Sequence, residues 1–225
     1  METTAPIHSQ STIYLVDDHP LVRDWLSRLI NEESDLKVSG GTDKVDAAIR
    51  EIQLLKPNLI IIDIGLRGRS GLELIRFLKD QNPDELILVL STHDEAVYAH
   101  RALKAGARGY VNKRETTEKV IQAIRRILSG GMYISESLAE SLATGLSQNK
   151  HPGWAGDVNL LSNRELEVFR LLATGRETSE IAKDLSVSLK TVQSYCARIK
   201  EKLGLHNATE LLQAATRWLD GQNTG

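Results

Sequence analysis

The chain of 225 residues has a single cysteine, Cys196. One thiol cannot build a disulfide framework, so the fold must rest on packing, and a reducing compartment suits it. Six histidines are scattered along the chain, and none stands at metal-ligand spacing to Cys196, which argues against a zinc site of the Cys/His kind. No apolar run approaches the roughly 20 residues that a membrane span needs. The first residues, METTAPIHSQST, carry neither the basic start nor the apolar stretch of a secretory signal. A net charge of -2 provides no global attraction to nucleic acid or membrane, so any such contact must be local. Internal repeats and low-complexity tracts are missing too. The expectation is a soluble, cytoplasmic protein without a membrane segment. Its hydrophobic content, 41%, is enough for ordinary packed cores in one large or two small domains.

Between Thr12 and about Ser129, short apolar runs alternate with amphipathic stretches. TIYLV, LKVSG, LIIID, LILVL and GYVN read as strands. HPLVRDWLSRLINEE reads as a helix with Pro20 near its start and Leu21, Trp25 or Leu26, Leu29 and Ile30 on one stripe. KVDAAIREIQLL, GLELIRFLKDQ, EAVYAHRALKAG and TTEKVIQAIRRILSGG are helical as well, the last two stopped by glycines. Five strand–helix units in succession imply an α/β fold, a parallel, doubly wound sheet with helices on both faces. After Gly130 the pattern changes. SESLAESLATGLSQ can form a helix with Ser135 as N-cap, and NKHPGWAGDVN is polar and rich in Gly and Pro. From Leu160 to about Leu219 only helical patterns occur. The expected organisation is an α/β domain at 10–129, a linker with a helix at 130–159, and an all-α domain at 160–222.

In an open α/β sheet the functional crevice lies at the carboxyl ends of the strands. Here strand one ends in Asp17-Asp18, strand three in Asp63 and strand four in Ser91-Thr92, and strand five runs into Lys113. Three carboxylates, a hydroxyl and an ammonium would then meet at one edge. Like charges this close repel and take up protons unless a cation joins them. Oxygen ligands of this kind suit Mg²⁺, and the same site could hold a phosphoryl group, with Asp63 as the nucleophile that forms an acyl phosphate. Each feature alone has an ordinary reading or none: Asp17-Asp18 before His-Pro as a helix cap, Asp63 as a turn residue, and Lys113 on its own means little.

Residues 12–129 resemble the receiver domain of two-component response regulators, which is flavodoxin-like. The resemblance rests on LVDDH, LIIID with Gly71 eight positions after Asp63, LST and GYVNK. It implies Asp63 as phosphoacceptor and Asp17 and Asp18 as the acidic pair, with Asp63 and the main-chain carbonyl of Gly65 completing the Mg²⁺ ligands. It implies Ser91 and Lys113 as the residues that sense and hold the phosphoryl group, and Tyr110 as the aromatic switch. The chain departs from the common pattern at Leu66-Arg67, where Met-Pro is frequent, and at Arg114, where a proline is frequent. Gly65 has no side chain to orient a water. His93, two after Ser91, is placed either to do so or to gate access. Arg67 and Arg69 read as solvated loop charges or as an attraction for a phosphodonor.

In the helical region Ser162 and Glu165 have capping-box spacing, Thr178 or Ser179 is placed to cap EIAKDL, and Ser188 to cap LKTVQSYCARIKEKLG. A short helix, a tight turn and a longer amphipathic helix make a helix-turn-helix. Val192, Tyr195 or Cys196, Ile199 and Leu203 should point inward, leaving a face with a local surplus of basic side chains. Such a face suits nucleic-acid phosphates, and also a solvated face of a protein-interaction bundle. LSNRELEVFRLLATG, EIAKDLSVSLKTVQSY and KLG resemble the LuxR-type helix-turn-helix of NarL/FixJ-type regulators, built of four helices. By position, that resemblance implies Gln193, Ser194 and Ala197 facing base edges, and Thr178, Lys190, Thr191, Arg198 and Lys202 facing phosphates. Tyr195 stands where the family often has histidine.

Together the resemblances imply a DNA-binding transcriptional regulator. A histidine kinase phosphorylates it on Asp63 with Mg²⁺, and it pairs as a homodimer on double-stranded DNA when active. The face around helix four and strand five, or residues 130–150, would carry the change. It is not expected to be a multiple-turnover enzyme, since Gly65 offers no second acid. The alternatives are a phosphorylation-independent DNA binder that uses the receiver to dimerise, a Mg²⁺-dependent phosphohydrolase, and a flavin-binding domain, whose phosphate the carboxylates would repel.

Overall fold

The computed structural model describes residues 10–66, 70–93, 95–143 and 157–222. Arg67, Arg69 and most of the Gly/Pro-rich stretch lie outside them. The chain divides into two compact units, with a boundary between Ser135 and Glu136.

The first unit alternates strand and helix: β1 (Ser11–Val16), α1 (Pro20–Asn31), β2 (Leu36–Thr42), α2 (Val45–Leu55), β3 (Leu59–Ile62), α3 (Gly71–Gln81), β4 (Ile87–Ser91), α4 (Glu95–Ala105), β5 (Gly109–Asn112) and α5 (Thr117–Leu128). The sheet has five parallel strands in the order β2-β1-β3-β4-β5. This is the expected doubly wound α/β architecture. Every residue of β3 is buried, and successive side chains point to opposite faces. Leu59 and Ile61 enter a cluster with Leu26 and Ile30 of α1 and Ile124 and Ile127 of α5. Ile60 and Ile62 face the opposite side. A strand buried on both faces cannot alternate polar and apolar residues, which is why it is a continuous apolar run.

Two expectations need correction here. The α1 stripe is narrower than the periodicity indicated: Leu26 and Ile30 are buried, but Leu21 is 83% and Trp25 36% exposed. Apolar residues at 21, 22, 25, 26, 29 and 30 form two adjacent rows, and the sheet takes only one of them. The first unit also runs past residue 129. Tyr133 donates to the Arg108 carbonyl and accepts from the Tyr110 N–H, both at 3.0 Å, bridging to Gly109 on the open side of β5. Residues 131–135 thus satisfy part of an edge that would otherwise expose its main chain.

The second unit contains α6 (Glu136–Ala143), a 3₁₀ turn at Val158–Leu160, α7 (Asn163–Ala173), α8 (Thr178–Asp184), α9 (Leu189–Leu203) and α10 (Ala208–Gln222). Leu166, Phe169, Ile181, Val192, Ile199, Ala215 and Trp218 are among its fully buried side chains, with the Phe169 and Trp218 rings 5.5 Å apart. Ser162 and Glu165 form the expected capping box on α7. Ser188 caps α9, accepting from the Thr191 N–H at 3.1 Å. Neither Thr178 nor Ser179 is the cap of α8. That place belongs to Glu177, whose main chain is extended and whose N–H donates to Glu180 at 2.9 Å, so Thr178 is already the first helical residue. Among the described residues no helix is long and apolar enough to cross a membrane.

Candidate functional site

Parallel strands deliver their carboxyl ends to one edge. Val16 pairs with Ile62, so the residues that follow, Asp17 and Asp63, are neighbours, and the Asp63 N–H donates to the Val16 carbonyl at 2.8 Å. Ser91 pairs with Asn112, and the Lys113 N–H donates to the Ser91 carbonyl at 2.9 Å. The sheet register therefore brings Asp17, Asp63, Ser91 and Lys113 together.

Lys113 joins the two strand ends. Its Nζ lies 2.6 Å from Asp17 Oδ2 and 2.7 Å from Asp63 Oδ2. Burial disfavours the ammonium, but the charges and hydrogen bonds of Asp63 and Asp17 outweigh that, and its pKa is raised. The remaining oxygens have other partners. Asp17 Oδ1 accepts from the His19 N–H at 2.8 Å, and Asp63 Oδ1 from the Gly65 N–H at 3.2 Å. His19 Nδ1 stands 2.8 Å from Asp18 Oδ1. Asp17, Asp18, His19 and Asp63 each offer one ligand atom, all within 4.8 Å of one another. Three carboxylates gather here around the Lys113 ammonium, with the Arg23 guanidinium on the Asp17 carbonyl, so anionic oxygens remain in excess. That balance, on hard oxygen donors, fits a divalent cation. His19 joins the group although it has no metal-ligand spacing to Cys196; its signal in the sequence is adjacency to the aspartate pair.

Ser91 is fully buried, and its Oγ lies 3.0 Å from His93 Nδ1. His93 is wedged in place. Its ring packs edge-on to Tyr98 at 4.6 Å, and its carbonyl accepts from the Tyr110 hydroxyl at 2.8 Å. Its Cε1 sits 3.1 Å from where a Cβ on residue 65 would be, so the imidazole occupies space that Gly65 leaves open. Tyr110 already lies inside, 1% exposed, and burial pushes its phenol well above the usual range.

Gly71 explains its own spacing. A Cβ there would fall 2.1 Å from the Asp63 carbonyl oxygen and 2.8 Å from Ile64 Cα. The start of α3 lies against the main chain of the acceptor loop, and only glycine fits.

In the second unit, Gln193, Ser194, Ala197, Lys190 and Arg198 are exposed on one side of α9, with Val192 and Ile199 buried on the other. Thr178 and Thr191 are half-buried, and the Thr191 hydroxyl lies 2.7 Å from Ser188 Oγ. Lys202 differs from the other basic residues: its ammonium lies 2.6 Å from Glu165 Oε2. Cys196 is half-buried, and burial raises its thiol pKa.

Residues 13–125 match the family model of the response regulator receiver domain, and residues 159–215 match that of bacterial regulatory proteins of the luxR family. The chain is 36% identical over 206 residues to the fimbriae Z protein of Salmonella typhimurium, covering 91% of this chain and 96% of that protein. It is 37% identical over 206 residues to the transcriptional activator protein ExaE of Pseudomonas putida, covering 90% and 94%. Among solved structures it resembles RcsB from Salmonella enterica serovar Typhimurium bound to promoter rprA in the presence of the phosphomimetic BeF3-. That likeness has a TM-score of 0.64 and 26% identity, and covers 92% of this chain and 99% of that one. With both of its units matched and its length covered by these relatives, the chain belongs to the two-component response regulators that join a receiver domain to a LuxR-type helix-turn-helix.

Proposed function

We propose that this regulator accepts a phosphoryl group on Asp63 from a histidine kinase and, in response, binds double-stranded DNA as a homodimer through α9. The observation that carries the first half is the Lys113 bridge. One ammonium within 2.7 Å of both Asp17 and Asp63 ties the two strand ends together and holds the acceptor carboxylate at the open end of the sheet. Asp17, Asp18, Asp63 and the Gly65 carbonyl are the residues that would hold Mg²⁺. When bound, it supplies positive charge to the oxygens of the transferred group. An Asp63 oxygen attacks phosphorus as the bond to the donor's histidine nitrogen breaks. Lys113 then turns to the new phosphoryl oxygens, and the Ser91 hydroxyl leaves His93 to donate to another. Because Tyr110 is already inside, Ser91 and the His93 main chain carry the change outward to β5 and α4.

The second half rests on α9, whose outer face offers Gln193, Ser194 and Ala197 to bases. Glutamine can pair with adenine and alanine can touch a thymine methyl. Lys190 and Arg198 flank them for phosphates. RcsB, which this chain resembles over 92% of its length, binds a promoter with a phosphomimetic present. Dimerisation raises the effective concentration of the second module at a paired site. A cytoplasmic location follows from both partners. The acceptor is stoichiometric, since Gly65 provides no acid for leaving groups.

The inward Tyr110 also favours a rival reading, in which DNA binding needs no phosphorylation. One experiment separates them. The chain is treated with a small phosphodonor and Mg²⁺, followed by intact mass and by DNA binding. Addition of one phosphoryl group, its loss in Asp63→Asn, and tighter DNA binding only in the phosphorylated chain are expected. Equal DNA binding by both chains would establish the rival.

A further inference from the structure

We propose that Glu165 and Lys202 form one positioning pair that fixes α9 for base reading, and that Lys202 makes no contact with a DNA phosphate. This rests on the reading that α9 binds DNA.

Glu165 occupies the third position of α7, where a carboxylate is usually a solvated half of a capping box. Here its side chain is only 3% exposed. Its Oε2 accepts from the Ser162 N–H at 2.7 Å and from Lys202 Nζ at 2.6 Å. A buried carboxylate is tolerated only when paired and hydrogen-bonded, and Lys202 supplies the pairing charge from 37 residues away. The one carboxylate therefore closes the start of α7 and holds the last turn of α9.

The consequence for α9 is mechanical. Its first turn is held by the Ser188 cap and by buried Val192, its last by Ile199 and the ion pair. The base-facing residues lie between the two anchors. Nine residues separate Gln193 from Lys202, about 13 Å along the axis at 1.5 Å per residue. A tilt at the C-terminal anchor is therefore felt at the bases. The pair is also neutral as a unit, so it adds nothing to the field that attracts phosphates. On the helical wheel Lys202 stands some 120° from Lys190, on the flank rather than the centre of the exposed face.

A phosphate contact and a positioning pair differ in salt dependence and in the sign of the glutamate's effect. Each phosphate contact adds about 0.9 to the slope of log K against log salt. The full chain selects a duplex from a random-sequence pool. Binding to it, and to a fixed duplex of unrelated sequence, is then measured across salt for Lys202→Met, Glu165→Gln, the double variant and Lys202→Arg. Measurements are made at a temperature where circular dichroism matches the unsubstituted chain. Expected is a loss of about tenfold on the selected duplex for Lys202→Met and for Glu165→Gln, about one base contact's worth. The salt slope should be unchanged, the unrelated duplex little affected, the double variant no worse than either single, and Lys202→Arg close to unsubstituted.

The proposal is overturned if Lys202→Met lowers the slope by about 0.9 and weakens both duplexes alike, while Glu165→Gln leaves binding unchanged or strengthens it. If Glu165→Gln does not fold, the slopes of Lys202→Met and Lys202→Arg still decide between the two outcomes. A chain that selects no duplex at all overturns the DNA-binding reading instead, which is a separate result.

Discussion

Replacing Gly71 by alanine should damage both stability and phosphorylation, and the size of the effect follows from three distances. The new Cβ would lie 2.1 Å from the Asp63 carbonyl oxygen, 2.8 Å from Ile64 Cα and 2.9 Å from the Asp63 carbonyl carbon. Ordinary contact begins near 3.4 Å, so the start of α3 and the acceptor loop must separate by more than 1 Å. Both are main chain, and no flexible side chain can give way. Overpacking of this kind costs about 1–3 kcal/mol, and three backbone clashes place it at the upper end. Alanine returns about 0.4–1 kcal/mol through the unfolded chain. A net loss of about 2 kcal/mol remains, roughly a 30-fold change in the unfolding constant. The control is Gly130→Ala. Gly130 has φ +86° and nothing within 4 Å of its added Cβ, so its cost, about 1–2 kcal/mol, is conformational alone. Chemical denaturation measures the stabilities, and intact mass after a small phosphodonor with Mg²⁺ measures acceptor function. Gly71→Ala should lose both, Gly130→Ala stability only. Unsubstituted stability and phosphorylation in Gly71→Ala would refute the close approach.

Lys113→Met should abolish phosphoryl retention yet tighten Mg²⁺ binding, because it removes a cation bonded to both Asp17 and Asp63; calorimetric titration of the metal reads the sign. His93→Ala should speed both phosphorylation by small donors and loss of the group, since it empties the space over Gly65 and releases Ser91; time courses of intact mass check both. Glu165 carries a pH signature. Its burial raises the carboxyl pKa, but bonds from Lys202 and Ser162 outweigh this and hold it below the ordinary glutamate value. A lowered carboxyl pKa contributes stability that is complete above the ordinary value, about 4.3, and is lost as pH falls through the lowered one. Thermal unfolding of the second unit should therefore weaken in acid over that window, and Glu165→Gln should remove this component.

The elements that were legible are those whose local pattern and tertiary role agree. β3 and β4 are buried on both faces, so they had to be continuous apolar runs, and a carboxylate or hydroxyl ending such a run could only sit at an edge. The acidic site followed from strand order alone, since parallel strands put Asp17, Asp63, Ser91 and Lys113 on one side. What escaped depended on partners distant in sequence. Leu21 and Trp25 satisfy the same helical period as Leu26 and Ile30, and only the sheet's position decides which row is covered. Lys202 looks like any basic residue on α9 until Glu165, 37 positions earlier, captures it. The extension to Ser135 arises because β5 ends the sheet, and Tyr133 happens to reach its free edge.

His93 ties these levels together. The residue two after the strand-four hydroxyl has no fixed role in a strand pattern, yet it touches Ser91, Tyr98, Tyr110 and the space over Gly65. Its ring holds Ser91, packs on Tyr98 of α4 and fills the gap at Gly65, and its carbonyl holds Tyr110 of β5. For Ser91 to bond a phosphoryl oxygen, it must first release that ring. A ring released from Ser91 has the space over Gly65, where the new phosphoryl group would stand, on one side and Tyr98 on another. The first direction closes as Asp63 is modified. The second leads into α4, on the face where the output of this receiver was expected from its sequence. Tyr110 need not rotate for that signal to pass. It has only to keep hold of a carbonyl whose side chain has lost its partner.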